Sequence, residues 1–126
     1  MTAYYADTCA STFSIILHCM CYDCTEFGSL ALTAVHLKPE NVIQELNELA
    51  VVHEDITRRW STNDVLILGD FNADCSYLSQ RETDELQLRN DPNFRWLIAD
   101  DTDTTVTNSD CAYDRYNPPR FVWRCL

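Results

Sequence analysis

The sequence predicts an α/β fold assembled around one strand–helix–strand unit. Three observations predict it: residues 30–36 alternate with apolar side chains on both faces, residues 42–60 repeat apolar side chains at helical spacing, and Val65-Leu66-Ile67-Leu68 is a continuous apolar run. With 126 residues, 46% hydrophobic and 11% aromatic, the chain has enough apolar surface to build one domain-sized core.

Taken in order, residues 1–27 form a divergent cysteine-rich segment without clear helical or strand periodicity, so no fold is predicted for them. Cys19, Cys21 and Cys24 crowd around His18 and Met20. A zinc or redox site would need a second, well-spaced ligand pair, and none follows; incidental cysteines are the simpler reading. From Leu30 the alternation is regular, with Leu30, Leu32, Ala34 and His36 on one face and Ala31, Thr33 and Val35 on the other, which reads as a strand apolar on both faces. Pro39 suits a first helical turn. Val42, Ile43, Leu46, Leu49, His53, Ile56 and Trp60 then mark an amphipathic crossover helix, acidic early (Glu40) and basic late (Arg58, Arg59). After the polar turn Ser61-Thr62-Asn63, Val65 to Leu68 is a short buried strand, and the three elements make one βαβ unit.

Residues 79–93 are polar and read as a helix or a long surface loop, followed by the apolar group Phe94, Trp96, Leu97 and Ile98. Asp100 to Asp110 is rich in Asp, Thr, Asn and Ser oxygens; it suits a hard cation and equally a plain polar loop. The stretch from Tyr116, with two adjacent prolines and no alternation, reads as an irregular tail. The resulting division is 1–27, a domain over 28–116, and a tail over 117–126.

Nine basic against twenty acidic residues give a formal charge of −11, which excludes sequence-independent attraction to a polyanion through a Lys/Arg surface. A nucleic-acid partner would need bridging cations such as Mg²⁺ or Ca²⁺. Seven cysteines cannot all pair within one chain. Asp7 is the only charge ahead of the short apolar run Phe13 to Leu17, so no signal peptide and no membrane span are read.

The most informative segment is Val65-Leu66-Ile67-Leu68-Gly69-Asp70-Phe71-Asn72-Ala73-Asp74-Cys75. A buried strand delivers Asp70 and Asn72 to its carboxyl end, where ligands of open α/β sheets are met. An Asp can ligate a divalent cation, and an Asn amide can donate to a phosphate oxygen without adding repulsive charge. Taken alone, Gly-Asp-Phe-Asn also reads as a capped turn.

GDFNADCSYL, WLIADDTDTTVTNSDCAYDR and the helix ending in RRW before NDVLILGDFNAD resemble the deoxyribonuclease I family over roughly residues 30–115. The Gly-Asp-Phe-Asn element is shared with the wider endonuclease/exonuclease/phosphatase superfamily, whereas Asp-Cys-Ser-Tyr and Cys-Ala-Tyr-Asp-Arg point to this branch. The resemblance implies a four-layer α/β sandwich, here partial and truncated at both ends, and metal-dependent hydrolysis of DNA phosphodiester bonds with Mg²⁺ and Ca²⁺. It makes His36 similar to the general acid, Asp70 to a metal and active-site carboxylate, and Asn72 to a phosphate-contacting amide. Asp114 is similar to the aspartate that orients a general-base histidine; an ion pair with neighbouring Arg115 is its plainer alternative. Asp103, Thr105, Thr107 and Ser109 match a structural Ca²⁺ loop, with Ser109 in place of the usual threonine, and Asn108 matches a phosphate contact. Cys75 and Cys111 match the family disulfide, which would close a loop of roughly 35 residues and contribute on the order of 4 kcal/mol. Secretion is implied in the same way, and actin enters as a partner through the resemblance alone.

Two departures bear on activity. No motif in residues 1–27 matches the upstream Asn and glutamates that serve the metal and the general acid, and Tyr116-Asn117-Pro118-Pro119 stands where the family continues toward a Ser-Asp-His motif. His18 and His53 do not fit the general-base role. The expectation is a truncated nuclease of weak or no activity; the alternative is a non-catalytic remnant that binds Ca²⁺ or a protein partner.

Overall fold

The computed structural model describes residues 2–4, 13–20 and 29–118. Its backbone is a mixed five-stranded sheet in the order β1-β2-β3-β4-β5, formed by β1 (Thr2–Tyr4), β2 (Phe13–Met20), β3 (Ser29–His36), β4 (Val65–Asp70) and β5 (Asp114–Asn117). Only β3 and β4 run parallel; the other three pairings are antiparallel. A parallel pair needs a crossover. Here it is a 3₁₀ turn at Pro39–Asn41 leading into α1 (Val42–Trp60), which is the predicted βαβ unit.

The alternation of β3 is seen in its side chains, but only one of its faces is fully buried. Ala31, Thr33 and Val35 are buried, and Ala34 and His36 on the opposite face are exposed. Val42, Leu46, Leu49 and Ile56 of α1 are buried in the same core as Val65 and Ile67 of β4. Helix α1 stops where Ser61 takes left-handed backbone angles, a turn that cannot propagate the helix. Ile43, read as part of the apolar stripe, is instead 39% exposed; Glu45 is fully buried in its place among the core-facing positions.

Three further readings are corrected or resolved. Residues 2–4 and 13–20 form strands in a segment for which no periodicity was legible, because β2 is specified by pairing along its whole length with β3. The open alternative over residues 79–93 resolves to two short helices, α2 (Gln80–Glu85) and α3 (Gln87–Asn90). Ser79 caps the first of them, its hydroxyl accepting from the Glu82 N–H while the Glu82 carboxylate accepts from the Ser79 N–H. The irregular stretch expected from Tyr116 is corrected at its start, since Tyr116 and Asn117 belong to β5, zipped onto Leu68 and Ile67; residues 119–126 lie outside the described residues. Cys9, Cys21, Cys24 and Cys125 lie outside the described residues. No helix among the described residues is long and apolar enough to cross a membrane.

Candidate active site

The site is built where three strands end together. Because β3 and β4 are parallel, their carboxyl ends coincide, and β5 starts at that same edge because it runs antiparallel to β4. The register pairs His36 with Asp70 and Asp70 with Asp114, so the three residues form one cross-strand row. Paired residues project from the same face. His36 Nε2 lies 3.7 Å from Asp70 Oδ2, with the two side chains 68% and 39% exposed. The row is therefore open to a ligand. Asp114 is half-buried, and burial followed by the nearby Asp70 charge pushes its carboxyl above the usual range.

One residue before the row, Gly69 has φ +136°, and a Cβ there would lie 2.0 Å from the Val35 carbonyl oxygen. Only glycine allows the two strands to stay this close. Beyond the row the chain is tightly tied. The Leu37 N–H donates to the Asp70 carbonyl and the Phe71 N–H to that of Tyr113, both at 2.9 Å. Asp70 Oδ1 accepts from the Asn72 N–H at 3.0 Å, in a turn where Asn72 takes φ +49°, a conformation that Asn tolerates better than most residues. Asn72 is buried, and its Nδ2 donates to the Leu37 carbonyl at 2.9 Å. One of its two amide hydrogens thus locks the exits of β3 and β4 together.

Arg115 does not pair with Asp114. Alternation along β5 turns it to the opposite face, where its side chain is 1% exposed and pairs with Asp100 at 3.1 Å. It donates to the carbonyls of Ile98 (2.8 Å) and Ala73 (3.0 Å) and stacks 4.7 Å from the Trp96 ring centre. The surface-pair alternative for Asp114 is thereby overturned, and Arg115 emerges as the buried tie between β5 and the Gly-Asp-Phe-Asn loop. Its signal in the sequence was alternation: a residue beside one facing the site must face the interior.

The Asp103–Ser109 segment is an exposed loop whose oxygens converge. Asp103 Oδ1 accepts from the Thr105 N–H (2.8 Å) and hydroxyl (2.7 Å), which hold its carboxyl below the usual range. The Ser109 carbonyl also faces the Thr105 hydroxyl, whose single proton it shares with Asp103, and the Thr107 and Ser109 hydroxyls bond each other. Asn108 is exposed beside them. Thr104 ties this loop to the row, its hydroxyl accepting from the Asp114 N–H at 3.1 Å.

Cys75 and Cys111 form a disulfide, and next to it Asp74 Oδ2 accepts from the Ala112 N–H at 2.7 Å. Asp74 and the two sulfurs lie close enough to resemble a metal cluster, but bonded sulfurs are not thiolate ligands. Among the other histidines, His53 sits mid-helix with its ring 4.5 Å from that of Phe94, in the core-facing position read for it.

No family model matches the chain. It is 43% identical over 91 residues to deoxyribonuclease-1 of Bos taurus, covering 72% of this chain and 32% of that protein. It is 47% identical over 87 residues to deoxyribonuclease-1-like 2 of Homo sapiens (69% and 29%), and 47% over 92 residues to deoxyribonuclease gamma of Rattus norvegicus (72% and 30%). The chain spans roughly a third of the length of these curated relatives. Over the matched stretch the chain is a partial match to the deoxyribonuclease I family.

Proposed function

We propose that this chain carries the metal-binding and phosphate-binding part of an endonuclease that hydrolyses DNA phosphodiester bonds. The observation that carries the reading is the row His36–Asp70–Asp114, three residues from three strands brought to one open sheet edge. In this reading His36 protonates the leaving oxygen, and its exposure gives it access to a substrate. Asp70, with Oδ2 free of the turn that engages Oδ1, is the carboxylate that holds Mg²⁺. Two crowded carboxyl groups, one with a raised pKa, are a donor set that a divalent cation relieves. When bound, the cation neutralises phosphate charge and lowers the pKa of a coordinated water. Asn72 keeps one amide hydrogen for a phosphate oxygen, and Asn108 is a second contact. Asp103, Thr105, Thr107 and Ser109 concentrate the hard oxygen donors that Ca²⁺ takes.

The face of the sheet opposite α1 supports the four-layer sandwich. It carries Leu32, Leu66 and Leu68, each half-buried, in register with one another or with Tyr116 and leading up to the row. An apolar sheet face of this kind packs against a second sheet. The disulfide fits a secretory route.

Among the described residues no histidine besides His36 stands in the row, so no second ring stands there for Asp114 to orient, and we read this stretch as a weak nuclease or none. Positioned proton transfer is worth about 10²- to 10⁴-fold. The converging oxygens of the Asp103–Ser109 loop favour, as second reading, a Ca²⁺-binding remnant. Supercoiled-plasmid nicking separates the two: trace cleavage that needs Mg²⁺ and Ca²⁺ and vanishes with Asp70→Ala supports the nuclease reading, and nicking undiminished in EDTA refutes it.

A further inference from the structure

The segment His36-Leu37-Lys38 leaves β3 carrying the exposed imidazole, and three contacts from three elements hold it. Two have been described: the Leu37 N–H on the Asp70 carbonyl and the Leu37 carbonyl on Asn72 Nδ2. The third comes from the helix. Glu45, in the first turn of α1 and fully buried, accepts the Lys38 N–H on Oε2 at 2.8 Å. Its other oxygen, Oε1, is buried without a hydrogen-bond partner among the described residues. Burying a carboxyl group with one oxygen unsatisfied is costly. A plain helix cap does not require that cost, because an exposed Ser, Asp or Asn at the helix start would cap as well.

We propose that Glu45 is a positioning residue for His36: from the core it pins the Lys38 amide and so fixes where β3 ends and where the imidazole stands relative to Asp70. The proposal rests on the reading of His36 as the proton donor. Its test is spectroscopic, so that failure of the nuclease reading leaves the outcome legible.

The experiment uses the full 126-residue chain labelled with ¹⁵N. It follows the Lys38 amide exchange rate and the ring signals of His36 and His53 at about pH 8, where imidazoles are neutral. His53 lies on the same helix as Glu45 and is the internal control. Glu45→Met removes the acceptor and keeps the bulk. Lys38 exchange should then quicken at least about tenfold, the weight of one hydrogen bond, and the His36 ring should shift while His53 stays. Glu45→Gln keeps an acceptor oxygen and should restore the wild-type His36 signals. Should Glu45→Met not fold, Lys38→Pro decides: φ at Lys38 is already −79°, within proline's range, so this change deletes the donor with Glu45 intact and must shift His36. An unmoved His36 in Glu45→Met or Lys38→Pro, equal shifts of His36 and His53, or no restoration by Glu45→Gln each overturns the proposal.

Discussion

Replacing Cys75 and Cys111 together by alanine should remove a large share of the chain's stability. The bond joins residues 36 positions apart. The loop-closure relation for that span gives about 13 cal/mol/K, or about 4 kcal/mol at room temperature. The enclosed loop contains α2, α3, the Asp103–Ser109 oxygens and the buried Phe94, so the unfolded chain gains freedom over much of the domain when the bond is gone. Small domains are stable by only about 5–15 kcal/mol. With a urea slope of about 1–2 kcal/mol/M, the midpoint should fall by roughly 2–4 M, or the variant should be unfolded without denaturant. Single replacements should cost as much as the double, because either one removes the same bond. The assay is urea unfolding by tryptophan fluorescence in oxidising buffer. A midpoint change below about 0.5 M, or additive single losses, would refute the assignment of the clasp as the main restraint on this loop.

Gly69→Ala combines a left-handed φ with an overlap on the Val35 carbonyl, and should cost about 3 kcal/mol or more in thermal unfolding; a loss within error would show that β3 and β4 can part at the row. Arg115→Met leaves two carbonyls without their donor and Asp100 with Arg89 as its remaining partner. It should cost about 3 kcal/mol, the low end for a broken buried pair because Asp100 is one-third exposed, with urea unfolding as the check and a loss under about 1 kcal/mol counting against the tie. Burial beside Phe94 holds the His53 pKa below 6.5, against the opposing pull of Asp91 and Glu54. The folded ring thus binds a proton less readily than the unfolded one, and stability is lost as pH falls below 6.5. His53→Leu should flatten that loss when melting temperatures are compared between about pH 7.5 and 5.5; an unchanged slope would place the titration elsewhere.

The βαβ unit was legible because burial writes itself directly into sequence period: two for Leu30 to His36, near 3.6 for Val42 to Trp60. The Asp70 and Asn72 positions were legible as a strand end. What stayed hidden depends on partners far along the chain. Asp-Arg-Tyr-Asn has no apolar alternation, and it becomes β5 only because β4 offers it a register. The Asn72 amide finds its acceptor 35 residues away, so a side chain read as a phosphate donor also holds the strands. Glu45 could have been found, since it stands three residues after Val42 and four before Leu49 on the buried stripe; a carboxylate there was passed over because charge ordinarily marks the solvent face. The capping signature Ser79 to Glu82 would likewise have decided helix over loop.

The central claim, that Asp70, in the row it forms with His36 and Asp114, holds the divalent cation, is tested most directly by titrating Mn²⁺, which shares the oxygen preference of Mg²⁺, into the ¹⁵N-labelled chain. The account predicts paramagnetic broadening centred on the amides of residues 36, 70 and 114, lost in Asp70→Ala and relieved by competing Mg²⁺. Broadening centred elsewhere, or persisting in Asp70→Ala, would contradict it.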